Sequence, residues 1–165
     1  DYINWPEVEM DATAAIGMQK DRLDGAGSKK YPFSRYLLNR LPQAVNSGEK
    51  YPLKALFVAG ANPLYTMSDS KAVKKAFDKV PFVVSFSSYM DETAQNADLI
   101  LPNRAYLERY EDIPTPAGIP KPVIGLSRPV VEPQFNTKHT GDVIIVLAKA
   151  MGGNIADAFA WNSYD

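Results

Sequence analysis

Three short apolar runs constrain this chain most: KALFVAG at residues 54–60, PFVVSFSS at 81–88 and DLILP at 98–102. Between the first two lies SDSKAVKKAFDKV, where Ser68 or Asp69 can cap a helix and Ala72, Val73, Ala76 and Phe77 share its apolar face. Between the second and third lies MDETAQNA, a short helical turn with acids at its start. Strand, helix, strand, helix, strand at this spacing predicts an α/β fold with an open, mostly parallel sheet, right-handed crossovers and flanking helices. The first run is short and apolar enough for a strand buried on both faces.

The remainder is less regular. Residues 1–32 read as an extended arm with a short helix around 12–18. Ser34 then leads RYLLNRLPQAVNSG, a helix with Leu37, Leu38 and Leu41 on one face, Pro42 breaking the pattern and Gly48 as its stop. After residue 102 comes a loop, YLERYEDIPTPAGIPKP, followed by PVIGLSRPVVEP, an irregular or edge strand because Pro129 would break a central ladder. HTGDVIIVLAKAMGG predicts an amphipathic helix with Thr140 at the cap, Asp142 in the first turn and a Gly-Gly stop. The tail NIADAFAWNSYD begins a further helix. This divides the chain into an N-terminal arm and helix (1–50), an α/β domain (51–153) and the start of a truncated following segment (154–165).

Composition excludes several function classes. With 165 residues, 45% hydrophobic and 22% charged, the chain can bury one real core. A net charge of −1 without a basic stripe argues against nucleic acid as a partner. The absence of cysteine removes disulfides, iron–sulfur ligation and thiolate metal ligands from this chain. No apolar run has the length of a membrane span, so direct membrane insertion is not expected. The start, DYINWPEVEMD, is not a signal peptide, and the missing initial methionine suggests a processed product or an excised fragment.

Ligands of open α/β sheets bind beyond the carboxyl ends of the strands. The first strand ends there in GANP: Gly60 lets the backbone turn and a ligand approach, Asn62 offers donor and acceptor, and Pro63 stiffens the loop. The helix from Ser68 adds an N-terminus suited to an anion. The same four residues also suit an ordinary strand-to-helix turn. The second strand ends in Ser85, Ser87 and Ser88, with Glu92 and Thr93 opening the next turn; this is either a ribose and base pocket or a helix cap. Asp98 caps the third strand or touches the ligand. His139 is the single histidine and reads as structural, while Glu108, Glu111 and Asp112 read as a solvated, arginine-balanced face. Neither GxGxxG nor a P-loop occurs, and no Ser/His/Asp or His/Glu metal spacing stands out. The residues describe a ligand-binding domain without a complete catalytic set.

In order, ALFVAGANPLYTMSDS, VPFVVSFSSYMDETAQNADLILPNRAYLERYED and VVEPQFNTKHTGDVIIVLAKAMGG resemble part of the catalytic subunit of molybdopterin oxidoreductases, the dimethyl sulfoxide reductase family. The resemblance runs from about residue 31 to 153, and SFSS.MDET and YLER are most similar to its polysulfide and thiosulfate reductase branch. It implies a Rossmann-like three-layer domain that helps hold molybdopterin guanine dinucleotide, with molybdenum or tungsten, in a longer parent. By resemblance, Gly60, Asn62, Pro63, Ser85, Ser87, Thr93 and Asp98 lie near the nucleotide end of that cofactor. Many family members carry aspartate where Ser87 stands, so that contact is weaker or made differently here.

The iron–sulfur cluster, the metal-ligating residue and the second cofactor-holding domain of the family have no counterpart in this sequence, so the isolated chain is expected to be inactive. The parent would perform two-electron respiratory chemistry with the rest of its catalytic subunit, an iron–sulfur electron-transfer subunit and a membrane quinone-linked subunit. It would be bacterial or archaeal and, as often in this branch, periplasmic or membrane-associated on that side. A different class also fits: a non-catalytic interaction module that kept the fold and lost the cofactor.

Overall fold

A computed structural model describes residues 12, 15, 16, 19, 21–115, 118 and 120–164. Contacts divide the chain into two units, Asp1–Pro52 and Leu53–Asp165. In the first, Ala12, Ala15 and Ile16 are helical, and the rest of the helix expected around 12–18 lies outside the described residues, as does most of the arm before it. A 3-10 turn (Leu38–Arg40) leads into helix α1 (Leu41–Ser47). Pro42 does not break this helix but sits in its first turn, where a missing N–H costs no hydrogen bond. The 3-10 step also spoils the expected leucine stripe: Leu37 and Leu41 are half-buried and Leu38 is exposed. Gly48 closes α1 with φ 69°, donating its N–H to Ala44 O.

Asp24 organises the loop before α1. It is buried, accepts from Arg22 Nε at 3.0 Å and Nη2 at 2.8 Å, and takes the N–H groups of Ala26 and Leu37 at 3.1 and 2.8 Å. Burial alone would raise its pKa, but the Leu37 N–H, the Arg22 guanidinium and the Ala26 N–H together hold it below the usual carboxylate value.

In the second unit the three apolar runs pair side by side in a parallel sheet. Strands β1 (Leu56–Val58), β2 (Val83–Ser85) and β3 (Leu99–Ile100) form a sheet in the order β1-β2-β3, with both pairs parallel. Leu56 faces Val83 and Val84 faces Leu99. The first crossover holds a single turn, α2 (Pro63–Thr66), and then α3 (Ser70–Phe77). Asp69 caps α3, its Oδ1 accepting from Ala72 N–H at 2.9 Å. Val73, Ala76 and Phe77 of α3 are buried, as are Val58, Val80, Val83, Val84 and Phe86. Only the central strand is buried throughout. Strand β1, expected to be buried on both faces, lies at a sheet margin and leaves Phe57 43% exposed, with its ring edge-on to Phe86 at 6.0 Å.

Beyond β3 the chain forms an antiparallel ribbon of β4 (Glu111–Ile113) and β5 (Gly125–Ser127), the latter ending before Pro129. Strand β4 lies in the stretch read as a loop. Glu108 corrects the expectation of a solvated acidic face: it is buried, with Oε2 accepting from Ala105 N–H and Oε1 from Gln134 N–H, both at 3.1 Å. Glu111 pairs with Arg109, whose Nη1 donates to Arg104 O at 2.9 Å. Helix α4 (Thr140–Met151) is capped not by Thr140 but by His139, whose Nδ1 accepts from Gly141 N–H at 3.0 Å; α5 (Gly153–Asp157) follows it. The Tyr164 ring stacks on His139 at 3.9 Å, and its hydroxyl donates to Asp112 at 3.2 Å. Among the described residues no helix is long and apolar enough to cross a membrane.

Candidate functional site

The carboxyl ends of β1 and β2 bring two loops together. After β1 the backbone turns at Gly60, φ 61°, a left-handed conformation that an L side chain adopts only with strain. A Cβ built there would meet nothing within 4 Å, so the glycine serves the backbone turn and leaves its outer side open to close approach. Asn62 precedes α2, and Pro63 opens that helix with its preset φ.

The loop after β2 reaches across to Asn62. The Thr93 hydroxyl donates to Asn62 Oδ1 at 2.7 Å, and Asn62 Nδ2 donates to Glu92 Oε2 at 2.7 Å. Leu64 N–H donates to Thr93 Oγ1 at 3.3 Å. Thr93 has no exposed surface, so this junction is built into the core rather than laid on it. The Asn62 amide has four hydrogen-bonding positions. Two are occupied here, which leaves one N–H and one oxygen lone pair. The hydrogen bond from Asn62 holds Glu92 below its usual pKa, with the backbone adding to the effect.

The serines continue this edge. Ser85 is buried, and its Oγ accepts from Ser87 N–H at 3.3 Å. Ser87 Oγ donates to Asp91 Oδ2 at 2.8 Å and accepts from Tyr89 N–H at 3.2 Å, while Asp91 Oδ1 takes Ala94 N–H at 2.7 Å. Ser88 Oγ donates to Asn103 O at 2.8 Å, and Asn103 Oδ1 accepts from Thr140 N–H at 3.1 Å, so the start of α4 is tied to the same edge.

Gly60, Asn62, Pro63, Ser85, Ser87 and Thr93 thus gather at one end of one parallel sheet. Asp98 does not. It lies just before β3 at the amino end, where its Oδ2 accepts from Val83 N–H at 2.7 Å and its own N–H donates to Val83 O at 2.9 Å. That is the strand-capping role open to it from sequence. The anion site expected at the helix from Ser68 is also corrected, because the Asp69 carboxylate already occupies the N-terminus of α3. Glu92 was legible as a turn opener beside a pocket or as a helix cap; its partner Asn62 is thirty residues away, and nothing local announces it.

His139, the one histidine, is engaged as a helix cap, and no group of three or more His, Cys, Asp or Glu among the described residues could hold a metal. Gly60, Asn62 and the serines fit the uncharged base and ribose of a nucleotide, whereas the carboxylates of Asp91 and Glu92 fit phosphate poorly.

Residues 25–150 match the family described as molybdopterin oxidoreductase. The chain is 42% identical over 109 residues to the molybdopterin-binding-like subunit of menaquinone reductase from Nitratidesulfovibrio vulgaris, covering 66% of this chain and 16% of that protein. It is 36% identical over 102 residues to the molybdopterin-containing subunit of thiosulfate reductase from Salmonella typhimurium, covering 62% and 13%. Among solved structures, acetylene hydratase from Pelobacter acetylenicus superposes with a TM-score of 0.61 at 31% identity, covering 74% of this chain and 17% of that one. The match therefore spans roughly a sixth of the length of such relatives.

Proposed function

The chain belongs to the molybdopterin oxidoreductase family, and from that membership we propose that it forms the part of a longer subunit that holds the guanine dinucleotide end of the cofactor. One observation carries the reading: Gly60, Asn62, Ser87 and Thr93 converge at the carboxyl edge of the parallel sheet, with Asn62 bonded across to the neighbouring loop. The cofactor supplies two-electron chemistry at molybdenum or tungsten. The residues here orient its nucleotide handle: the Gly60 turn admits it, Asn62 offers one N–H and one lone pair, and the buried Thr93 fixes that amide in place. Sequence likeness to a hydratase as well as to reductases leaves the reaction open at the family level. For the whole protein we propose respiratory redox chemistry with iron–sulfur and quinone-linked partner subunits.

A second reading has its own support. Asn62 and Ser87 already spend hydrogen bonds on Glu92, Thr93 and Asp91, and one similar protein is named molybdopterin-binding-like. A module that kept the fold and lost the cofactor would look like this. Purified full-length protein separates the two: acid release of guanosine monophosphate together with molybdenum or tungsten supports the first reading. Metal-free protein releasing no nucleotide supports the second.

A further inference from the structure

We propose that Glu92 decides which part of a nucleotide the Asn62 corner accepts, holding the amide in one orientation while its carboxylate keeps phosphate away, so that this corner takes uncharged base and ribose groups. The inference rests on the nucleotide-holding reading above and deepens it.

An asparagine amide can rotate by half a turn and exchange donor for acceptor, so a free one recognises nothing in particular. Here Glu92 pins it, because a carboxylate can only accept and so holds Nδ2 toward itself, leaving Oδ1 to take the Thr93 hydroxyl proton. Thr93 alone would not choose, since its oxygen keeps a second lone pair after accepting from Leu64 N–H. Flipping Asn62 would set its oxygen against a carboxylate. Glu92 is anchored in turn, since its backbone carbonyl accepts from Asn96 Nδ2 at 2.7 Å. The hydrogen bond from Asn62 that lowers its pKa keeps the side chain ionised at neutral pH. A phosphate beside Asn62 would meet that charge and, one residue before it, the carboxylate of Asp91. Lys71, Lys74 and Lys75 line with Glu92 a shallow depression along α3, and Lys74 is paired with Asp78 at 2.5 Å.

Binding of guanosine and of guanosine diphosphate by the full-length protein prepared without its cofactor tests this, measured by calorimetry for the natural sequence, Glu92→Gln and Glu92→Ala. Glu92 is exposed, so both variants should keep the native melting temperature. Glutamine keeps an acceptor for Asn62 and removes the charge; alanine removes both. Expected for Glu92→Gln are guanosine affinity within about twofold and a gain of about three- to fivefold for the diphosphate, because the charge that keeps phosphate away is gone; for Glu92→Ala guanosine should bind about three- to fivefold more weakly, the scale of an exposed charged contact. An unchanged ratio of diphosphate to guanosine affinity in Glu92→Gln would show that the charge excludes nothing and would overturn the proposal. Unchanged guanosine binding by Glu92→Ala would also overturn it, leaving the nucleotide-holding reading intact. Failure of the natural protein to bind either probe would bring down both.

Discussion

Within the Leu53–Asp165 unit, the sheet and the ribbon are held together differently. Around β2 the chain packs Val73, Ala76, Phe77, Val83, Val84 and Phe86 out of water, and apolar burial is the main adhesive. Around β4 and β5 the large apolar side chains face outward: Ile113, Ile124, Leu126, Val130 and Phe135 are each half or more exposed. Polar staples do the holding there. Glu108 takes two backbone N–H groups, Arg109 binds Glu111, and the Thr115 hydroxyl donates to Val123 O at 2.7 Å. The same chain thus uses a core where its pattern is periodic and directed hydrogen bonds where it is not.

If the contrast is real, truncating equivalent apolar residues should separate the halves. Phe77→Ala should cost about 3–4 kcal/mol through the cavity it leaves, whereas Leu126→Ala should cost about 0.5 kcal/mol or less. Urea denaturation of the two variants measures this, and equal losses would erase the distinction. In the ribbon the sensitive change is polar. Glu108→Ala removes the charged acceptor of two part-buried N–H groups and should cost about 2 kcal/mol. Hydrogen exchange should then quicken at Ala105 and Gln134 while the β2 amides stay protected; uniform quickening would mean that the halves share one core.

Thr93→Val examines the junction of the loops that follow β1 and β2. The shape is kept, but Asn62 Oδ1 and Leu64 N–H lose their partner, so a loss of about 1–2 kcal/mol is expected in thermal unfolding. A neutral substitution would show that burial alone joins these loops. The smallest effect is a pH dependence in the ribbon half. Burial, and then the hydrogen bond to Asp112, raise the Tyr164 pKa above its ordinary 10.0. The contribution of Tyr164 is therefore whole below pH 10 and is lost as pH rises through the higher folded value. Alkaline unfolding should accordingly be a little steeper for the natural protein than for Tyr164→Phe; identical curves would remove Tyr164 from the account.

Legibility from sequence follows the same division. The parallel sheet, its order of elements and the convergence of Gly60, Asn62, Ser87 and Thr93 could be read because short apolar runs and helix caps are local signals. Strand β4 could not, since EDI carries two acids and its partner GLS contains glycine; backbone pairing, not side-chain pattern, makes both strands. The His139 cap was misplaced by one residue because threonine is the commoner N-cap, and a neutral imidazole nitrogen can serve equally as acceptor. Asp98 and Glu92 were ambiguous for one reason: each is defined by a backbone or side chain far along the chain, and only the register of β2 on β3 decides the first.

The strand order β1-β2-β3 also has a kinetic meaning. Each strand pairs with the next one made: Leu56 joins Val83 and Val84 joins Leu99, closing loops of about 27 and about 15 residues. No strand must wait for a distant one, so the sheet can grow in steps from the N-terminal side, each parallel pairing requiring its crossover loop to close first. The edge that carries Gly60, Asn62 and Thr93 is therefore assembled by two steps between consecutive strands. Substitutions at Val84 should slow refolding, whereas those at Leu126 should chiefly leave its rate unchanged.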